Sequence, residues 1–260
     1  MKKETTLVWK GRGDVRLHRY FSESEITMPF EQEEKLPSVI ICPGGGFYCL
    51  ATDEAEIYAD FFLSLGIRPF VLEYSLDEKA KFPNPLFDLG KAMVRLQENQ
   101  VAWHLLPQAP YLYGISAGGF LTAGMAILGN EPILKEKFHC SEEVFRPKAL
   151  ILSYPLLNMA QHTTEWGENT LLPQEYGILA RLQLTELVHR QMPPVLLFHN
   201  KDDQMVPVSD SLAFAQALAK NKIPCELHVF ERGGHSFLQR ENMKNWQAYT
   251  KAWLDKQRDL

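Results

Sequence analysis

Tyr111-Leu112-Tyr113-Gly114-Ile115-Ser116-Ala117-Gly118-Gly119-Phe120-Leu121-Thr122-Ala123 is the stretch that decides the fold. The short run after Pro110 reads as a strand, and Gly119 onward starts a helix. Between them lies G-x-S-x-G, Gly114 to Gly118. By average composition this pattern arises by chance in roughly one chain in ten of this length, so alone it says little. The strand–Ser–helix setting is what counts. Such a turn puts the serine in a strained conformation at the carboxyl end of a sheet, and small flanking residues allow the close backbone approach. The competing reading is a small-residue turn that packs helix on strand.

Outward from this turn the same alternation repeats. Continuous apolar runs at 38–42, 68–74, 149–152 and 195–198 suit strands buried on both faces of a parallel sheet. Residues 226–230 alternate more, and 5–21 read as an opening hairpin around Gly11-Arg12-Gly13-Asp14. Helical spacing covers 54–65, 86–96, 120–128, 211–219 and 242–254, with Ser209 as the expected N-cap of the fourth. The acidic stretch 23–35 reads as loop. The pattern predicts an α/β fold with a mostly parallel central sheet and helices on both faces. Without linker or repeat, 1–260 is expected to be one domain. Residues 158–192 carry helix-like segments and no strand, which suggests a small cap-like insertion over a site; a crossover without functional role is the alternative.

Composition narrows the class. The 260 residues are 45% hydrophobic and 23% charged, which is ordinary for a soluble globular chain and excludes low-complexity disorder. The net charge is −5 and no basic run dominates, so nucleic acid is excluded as an expected partner. No apolar run approaches the roughly 18 residues of a membrane span, and the N-terminus carries no secretory apolar stretch. Cys42, Cys49, Cys140 and Cys225 have no metal-ligand spacing and read as free thiols of a reducing, cytoplasmic compartment.

A serine hydroxyl needs a base in hydrogen-bond reach and a third group to orient that base. On a sheet of this kind the chain order is Ser, acid, His. Two later loops supply it, both at carboxyl ends of predicted strands, where sites of open α/β sheets lie. In His199-Asn200-Lys201-Asp202-Asp203 the expected acid is Asp203, with Asp202 as internal rival and a loop-capping carboxylate as the alternative. Asp210 falls in a first helical turn, where an acid suits the dipole. In Gly233-Gly234-His235-Ser236-Phe237 the expected base is His235, whose glycines let the loop bring imidazole over Ser116. His199 ends a strand and His228 sits inside one; His162 and His189 fall in the insertion, where surface or packing roles are the better reading. Oxyanion donors are expected at Ala117 N–H and in Pro43-Gly44-Gly45-Gly46-Phe47-Tyr48, with Gly45 first and Gly46 second. A phosphate loop does not fit, since neither GK[ST] nor G-x-G-x-x-G is present there.

With these pieces the chain resembles the α/β-hydrolase superfamily, from about Val39 to Trp253. More narrowly it resembles the bacterial esterase/lipase group that includes acetyl-xylan and other carbohydrate-ester esterases. Carrying the likeness are Pro43-Gly44-Gly45-Gly46-Phe47, Phe70-Val71-Leu72-Glu73-Tyr74-Ser75-Leu76, Gly114 to Gly119, Ser153-Tyr154-Pro155-Leu156, Asp202-Asp203-Gln204-Met205-Val206-Pro207-Val208 and the His235 loop. The family's catalytic serine, aspartate and histidine fall on Ser116, Asp203 and His235. Pro43 stands where many relatives carry histidine, a variant familiar in the acetyl-esterase branch.

The resemblance implies neither metal nor organic cofactor. It implies hydrolysis of a short-chain ester, chiefly acetyl, on a sugar or similar alcohol, so the expected partner is a small-molecule ester. In a cytoplasmic setting, imported acetylated oligosaccharides or small aryl esters would replace polymeric xylan. Phe47, Tyr48 and Trp166 could shape the pocket, with ordinary packing as the alternative. The rival functions are a serine peptidase on the same fold and a non-catalytic small-molecule binding protein.

Overall fold

Alternation within each short apolar strand sorts the side chains into two layers. The computed structural model describes residues 1–22, 34–158 and 183–258. In β3 (Ser38–Cys42), Val39 and Ile41 join one core while Ile40 and Cys42 join the other. The other strands are β1 (Lys2–Leu7), β2 (Arg16–Phe21), β4 (Arg68–Glu73), β5 (Tyr111–Ile115), β6 (Leu150–Ser153), β7 (Val195–Asn200) and β8 (Cys225–Phe230). They form one eight-stranded sheet in the order β1-β2-β4-β3-β5-β6-β7-β8. β1 and β2 make the expected antiparallel hairpin, β2 pairs antiparallel with β4, and every later pairing is parallel.

Helices cover both faces. On one, α1 (Thr52–Ser64) and α6 (Arg240–Arg258) bring Tyr58, Phe62, Trp246 and Trp253 onto Tyr113, Ile151 and Phe198. On the other, α2 (Asn84–Glu98), α3 (Ala117–Leu128) and α5 (Val208–Lys220) pack Leu86, Leu89, Leu121, Phe214 and Leu218 on Ile40, Leu112, Leu152 and Leu197. Each such buried side chain contributes about 1.5–3 kcal/mol relative to exposure. A short helix α4 (Pro132–Phe138) buries only Leu134, and its single inward residue gave no periodic signal in the sequence.

Ser209 does not cap α5. The helix begins at Val208, and Pro207 holds the N-cap position with φ −67° and ψ 141°. Proline's fixed φ already suits that position, so the helix starts before the serine. Asp210 does lie in the first turn, and its Oδ2 accepts the N–H groups of Leu157 and Asn158 at 3.2 Å each. An antiparallel bridge pairs Asn158, the first residue of the predicted insertion, with Gln183 inside it. Most of that insertion, 159–182 with His162 and Trp166, lies outside the described residues, as does 23–33 of the acidic stretch. All four cysteines are free thiols. No helix among the described residues is long and apolar enough to cross a membrane.

Candidate active site

The parallel strands β3, β5, β6 and β7 end on the same side of the sheet, and the site assembles there. Ser116 follows β5 directly and has φ 52° and ψ −117°, a strained conformation for a residue with a Cβ. Its N–H donates to Ser153 O at 3.0 Å, and its carbonyl accepts from Leu156 N–H at 3.1 Å, which holds the turn. α3 starts at Ala117, three residues earlier than its apolar periodicity indicates. A Cβ on Gly118 would overlap the carbonyl oxygens of Cys42 and Pro43. Only glycine there lets α3 press against the end of β3, which brings the 43–48 loop beside the serine.

That loop is set by its own hydrogen bonds. Gly45 O accepts from Tyr48 and Cys49 N–H, both at 3.1 Å, and Gly44 O accepts from Ala51 N–H at 3.0 Å. Gly45 has φ +125°, where a Cβ would strike the Cys49 carbonyl. Tyr74 O–H donates to Pro43 O at 2.7 Å and pins the loop from below. Among the described residues no acceptor takes the N–H of Gly45, Gly46 or Ala117. A Cβ on Gly44 would lie 3.2 Å from Ser116 Cβ, so loop and serine are in contact.

The structure brings Ser116, His235 and Asp203 into one line. His235 Nε2 lies 2.8 Å from Ser116 Oγ, and His235 Nδ1 lies 2.7 Å from Asp203 Oδ2. The carboxylate at Nδ1 fixes the proton there and leaves Nε2 to accept from the serine. Asp203 Oδ1 accepts the N–H groups of Met205 and Val206 at 2.9 and 3.0 Å. Burial pushes its carboxyl up, but hydrogen bonds from His199, His235 and Val206 outweigh that and hold it well below the usual carboxylate range. The acid is therefore an anion throughout the neutral range.

Asp202, the internal rival, has another place: its Oδ1 accepts Gly234 N–H at 2.9 Å. Phe47 is buried against Tyr74 and Phe120, with ring centroids 5.6 and 6.1 Å away. Tyr48 is exposed, and Trp166 lies outside the described residues. No group of three or more His, Cys, Asp or Glu among the described residues is arranged to hold a metal ion.

Several polar residues at the site escaped the sequence reading. Asn200 Nδ2 donates to the carbonyls of Gly234 and Ser236, the two neighbours of His235, at 2.8 Å each. Asn242 Nδ2 donates to Asn200 Oδ1 at 3.1 Å and to Arg232 O at 2.6 Å. His199, also fully buried, reaches Asp203 Oδ2 at 3.3 Å and Val206 O at 2.9 Å through Nε2, and Ser211 Oγ at 2.8 Å through Nδ1. The signal was present: an apolar strand ending in His-Asn buries two polar side chains, and buried polar groups need partners.

Comparison with known proteins agrees with this architecture. A family model described as BD-FAE matches residues 24–218. The chain is 29% identical over 207 residues to an endo-1,4-beta-xylanase B of Butyrivibrio fibrisolvens, covering 77% of this chain and 32% of that protein. It is 23% identical over 208 residues to an acetylxylan esterase of Xylanibacter ruminicola, covering 77% of this chain and 41% of that one. The chain thus spans less than half the length of these two relatives. A solved structure of an acetyl ester-xyloside bifunctional hydrolase from Caldicellulosiruptor lactoaceticus superposes with a TM-score of 0.80 at 27% identity, over 97% of this chain and 96% of that one.

Proposed function

The chain belongs to the BD-FAE family of α/β-hydrolases, and from that premise we propose that it is a carboxylic ester hydrolase with a serine mechanism. Its substrates are short-chain esters, chiefly acetyl, of a sugar or similar alcohol. The observation that carries the proposal is the unbroken line from Ser116 Oγ through His235 to Asp203, set beside backbone N–H groups with no acceptor among the described residues.

In this reading His235 Nε2 takes the Ser116 proton as Oγ attacks the ester carbonyl. The N–H groups of Ala117 and of Gly45 or Gly46 hold the oxyanion, each donor worth about 2.7–4 kcal/mol in the transition state. Protonated His235 gives its proton to the departing alcohol and leaves an acyl-serine. Water, activated by the same imidazole, releases the acid. Asp203 keeps the imidazole in its tautomer and stabilises its cation. The chain works as one domain. In a cytoplasmic setting acetylated oligosaccharides, not polymeric xylan, are the sugar esters within reach. The name of the acetylxylan esterase relative supports the sugar-ester class.

Initial rates on p-nitrophenyl acetate, butyrate and octanoate test the proposal. We expect a steep preference for acetate. Ser116→Ala should lose turnover by about 10⁶-fold while keeping the fold. Retained turnover in folded Ser116→Ala refutes the nucleophile. A folded wild type that is labelled by a fluorophosphonate but turns over no ester moves the assignment to a peptidase or a binding protein.

A further inference from the structure

Glu54 is a carboxylate near the site that this mechanism leaves unused. It stands in the first turn of α1, the helix that follows the 43–48 loop. Its Oε1 accepts from Tyr154 O–H and, at 3.3 Å, from Tyr58 O–H. Tyr154 lies just beyond β6, is buried, and has φ +36°. Its N–H donates to Phe198 O at 2.7 Å. A residue with a Cβ persists in that region only where its surroundings over-determine it. Here they also aim the ring. Tyr154 lies edge-on against the His235 imidazole, with centroids 4.6 Å apart and planes at 61°, and against Phe237 at 4.9 Å. Contacts therefore run from a half-buried carboxylate to the imidazole by a route independent of Asp203.

We propose that Glu54, acting through Tyr154, is a positioning residue for His235: the pair braces the imidazole over Ser116 and its carboxylate favours the imidazolium form. The inference rests on the reading of Ser116 as nucleophile and His235 as base. Around the imidazole the polar groups are Asp203 at Nδ1, Ser116 at Nε2, Tyr154 on the ring, and Asp202 through Gly234 N–H. Glu54 is faced by Tyr58 of its own helix, by Tyr154, and electrostatically by Tyr113 of β5 and by His235. Among the described residues no lysine or arginine is in these groups, and His235 is the cation there that the carboxylate meets as the reaction proceeds. Burial pushes the Tyr154 phenol well up and keeps it a donor. Burial also raises the Glu54 carboxyl, against the hydrogen bonds of Tyr154 and Tyr58 and the charge of His235. The other account of Glu54 is packing alone: an acceptor for a buried phenol, for which charge is irrelevant.

Glu54→Gln separates the two, because glutamine Oε1 accepts the same hydrogen bond without the charge. Wild type, Glu54→Gln and Tyr154→Phe are compared for kcat, KM and the pH profile of kcat/KM on p-nitrophenyl acetate. In parallel, NMR follows the His235 Cε1–H resonance against pH. We expect Glu54→Gln to lower kcat about tenfold with KM within about twofold, and to move the acid limb and the imidazole titration to lower pH by about half a unit or more. Tyr154→Phe keeps the ring contact, cuts the link, and should move both the same way. A Glu54→Gln protein with wild-type kcat and an unmoved titration overturns the proposal, even where its thermal stability falls. Should Glu54→Gln not fold, an unmoved titration in Tyr154→Phe overturns it alone. A wild type without turnover defeats the esterase reading instead, and the titration still decides the coupling.

Discussion

Replacing Asn200 with alanine should disable the site without touching any group of the Ser116–His235–Asp203 line. The Asn200 side chain is fully buried at the end of β7. It makes three hydrogen bonds: two donated to Gly234 O and Ser236 O, one accepted from Asn242. At about 1 kcal/mol net for each, their loss costs about 3 kcal/mol. Gly234 and Ser236 are only half-buried, so water replaces part of this and about 2 kcal/mol remains. For a domain of this size that lowers Tm by roughly 4–8 °C. The kinetic effect is larger, because both carbonyls flank His235. Freed from the clamp, the loop lets Nε2 drift from Ser116, and a displacement of about 1 Å costs about 100-fold in rate. We expect kcat on p-nitrophenyl acetate to fall 10- to 100-fold, taking that figure as the ceiling, with KM little changed and slower fluorophosphonate labelling. Thermal unfolding by circular dichroism and initial rates are the two assays. A variant that loses the expected Tm but keeps kcat within twofold would show that the clamp only stabilises the fold, and would refute the positioning argument.

Two other substitutions test separate parts of the site. Asp203→Asn should lower kcat about 10⁴-fold, since an amide cannot hold the imidazole in its tautomer. Its stability effect has a defined sign: the folded carboxyl lies below its unfolded value of about 3.9, so its contribution is present above that pH and fades as pH falls through the folded value. Wild type and Asp203→Asn should differ most in urea midpoint near neutral pH and converge in acid; a constant difference at every pH refutes the linkage. Gly118→Ala forces a Cβ into the Cys42 and Pro43 carbonyls, which are backbone and cannot swing away. We expect a loss of about 3 kcal/mol or more and a collapse of kcat as the 43–48 loop leaves Ser116. Wild-type kinetics in this variant would refute the claim that close approach at Gly118 sets the oxyanion loop.

The parts of the site legible in the sequence are those whose constraint is local. A serine on a strand-to-helix turn needs small neighbours on both sides, and Gly114, Gly118 and Gly119 state that need within six residues. An acid and a histidine in the loops after later strands follow from chain order, which points to the Asp202-Asp203 pair and to His235. The sheet was legible for the same reason, since runs such as Val39-Ile40-Ile41 fit only a strand covered on both faces. Ser209 failed because the N-cap rule ranks side chains and gives no weight to a proline that already starts the helix. Asp202 and Asp203 stayed rivals in sequence because both sit past the end of β7. What divides them is direction, one reaching Gly234 N–H and the other His235 Nδ1, and direction belongs to the folded loop.

Glu54 was hidden for a sharper reason. An acid in the first turn of a helix already has a sufficient local explanation, the positive end of the dipole, so nothing in its neighbourhood asks for another. Its partner Tyr154 is 100 residues away, just beyond β6. A dipole role, however, works best for a solvated carboxylate and needs no phenol. A carboxylate used only for the dipole has no cause to be half-buried under two tyrosines, one of them at positive φ against the imidazole. Desolvation opposes its charge, and that cost is offset where a cation forms nearby during the reaction. Asp203 shows the same logic with the opposite balance: hydrogen bonds outnumber the burial cost and keep it permanently charged. Two carboxylates thus face one imidazole from different elements, one fixed as an anion and one closer to titration. Distinct pH responses of Asp203→Asn and Glu54→Gln are the consequence, and identical responses would mean that only one of them is coupled to His235.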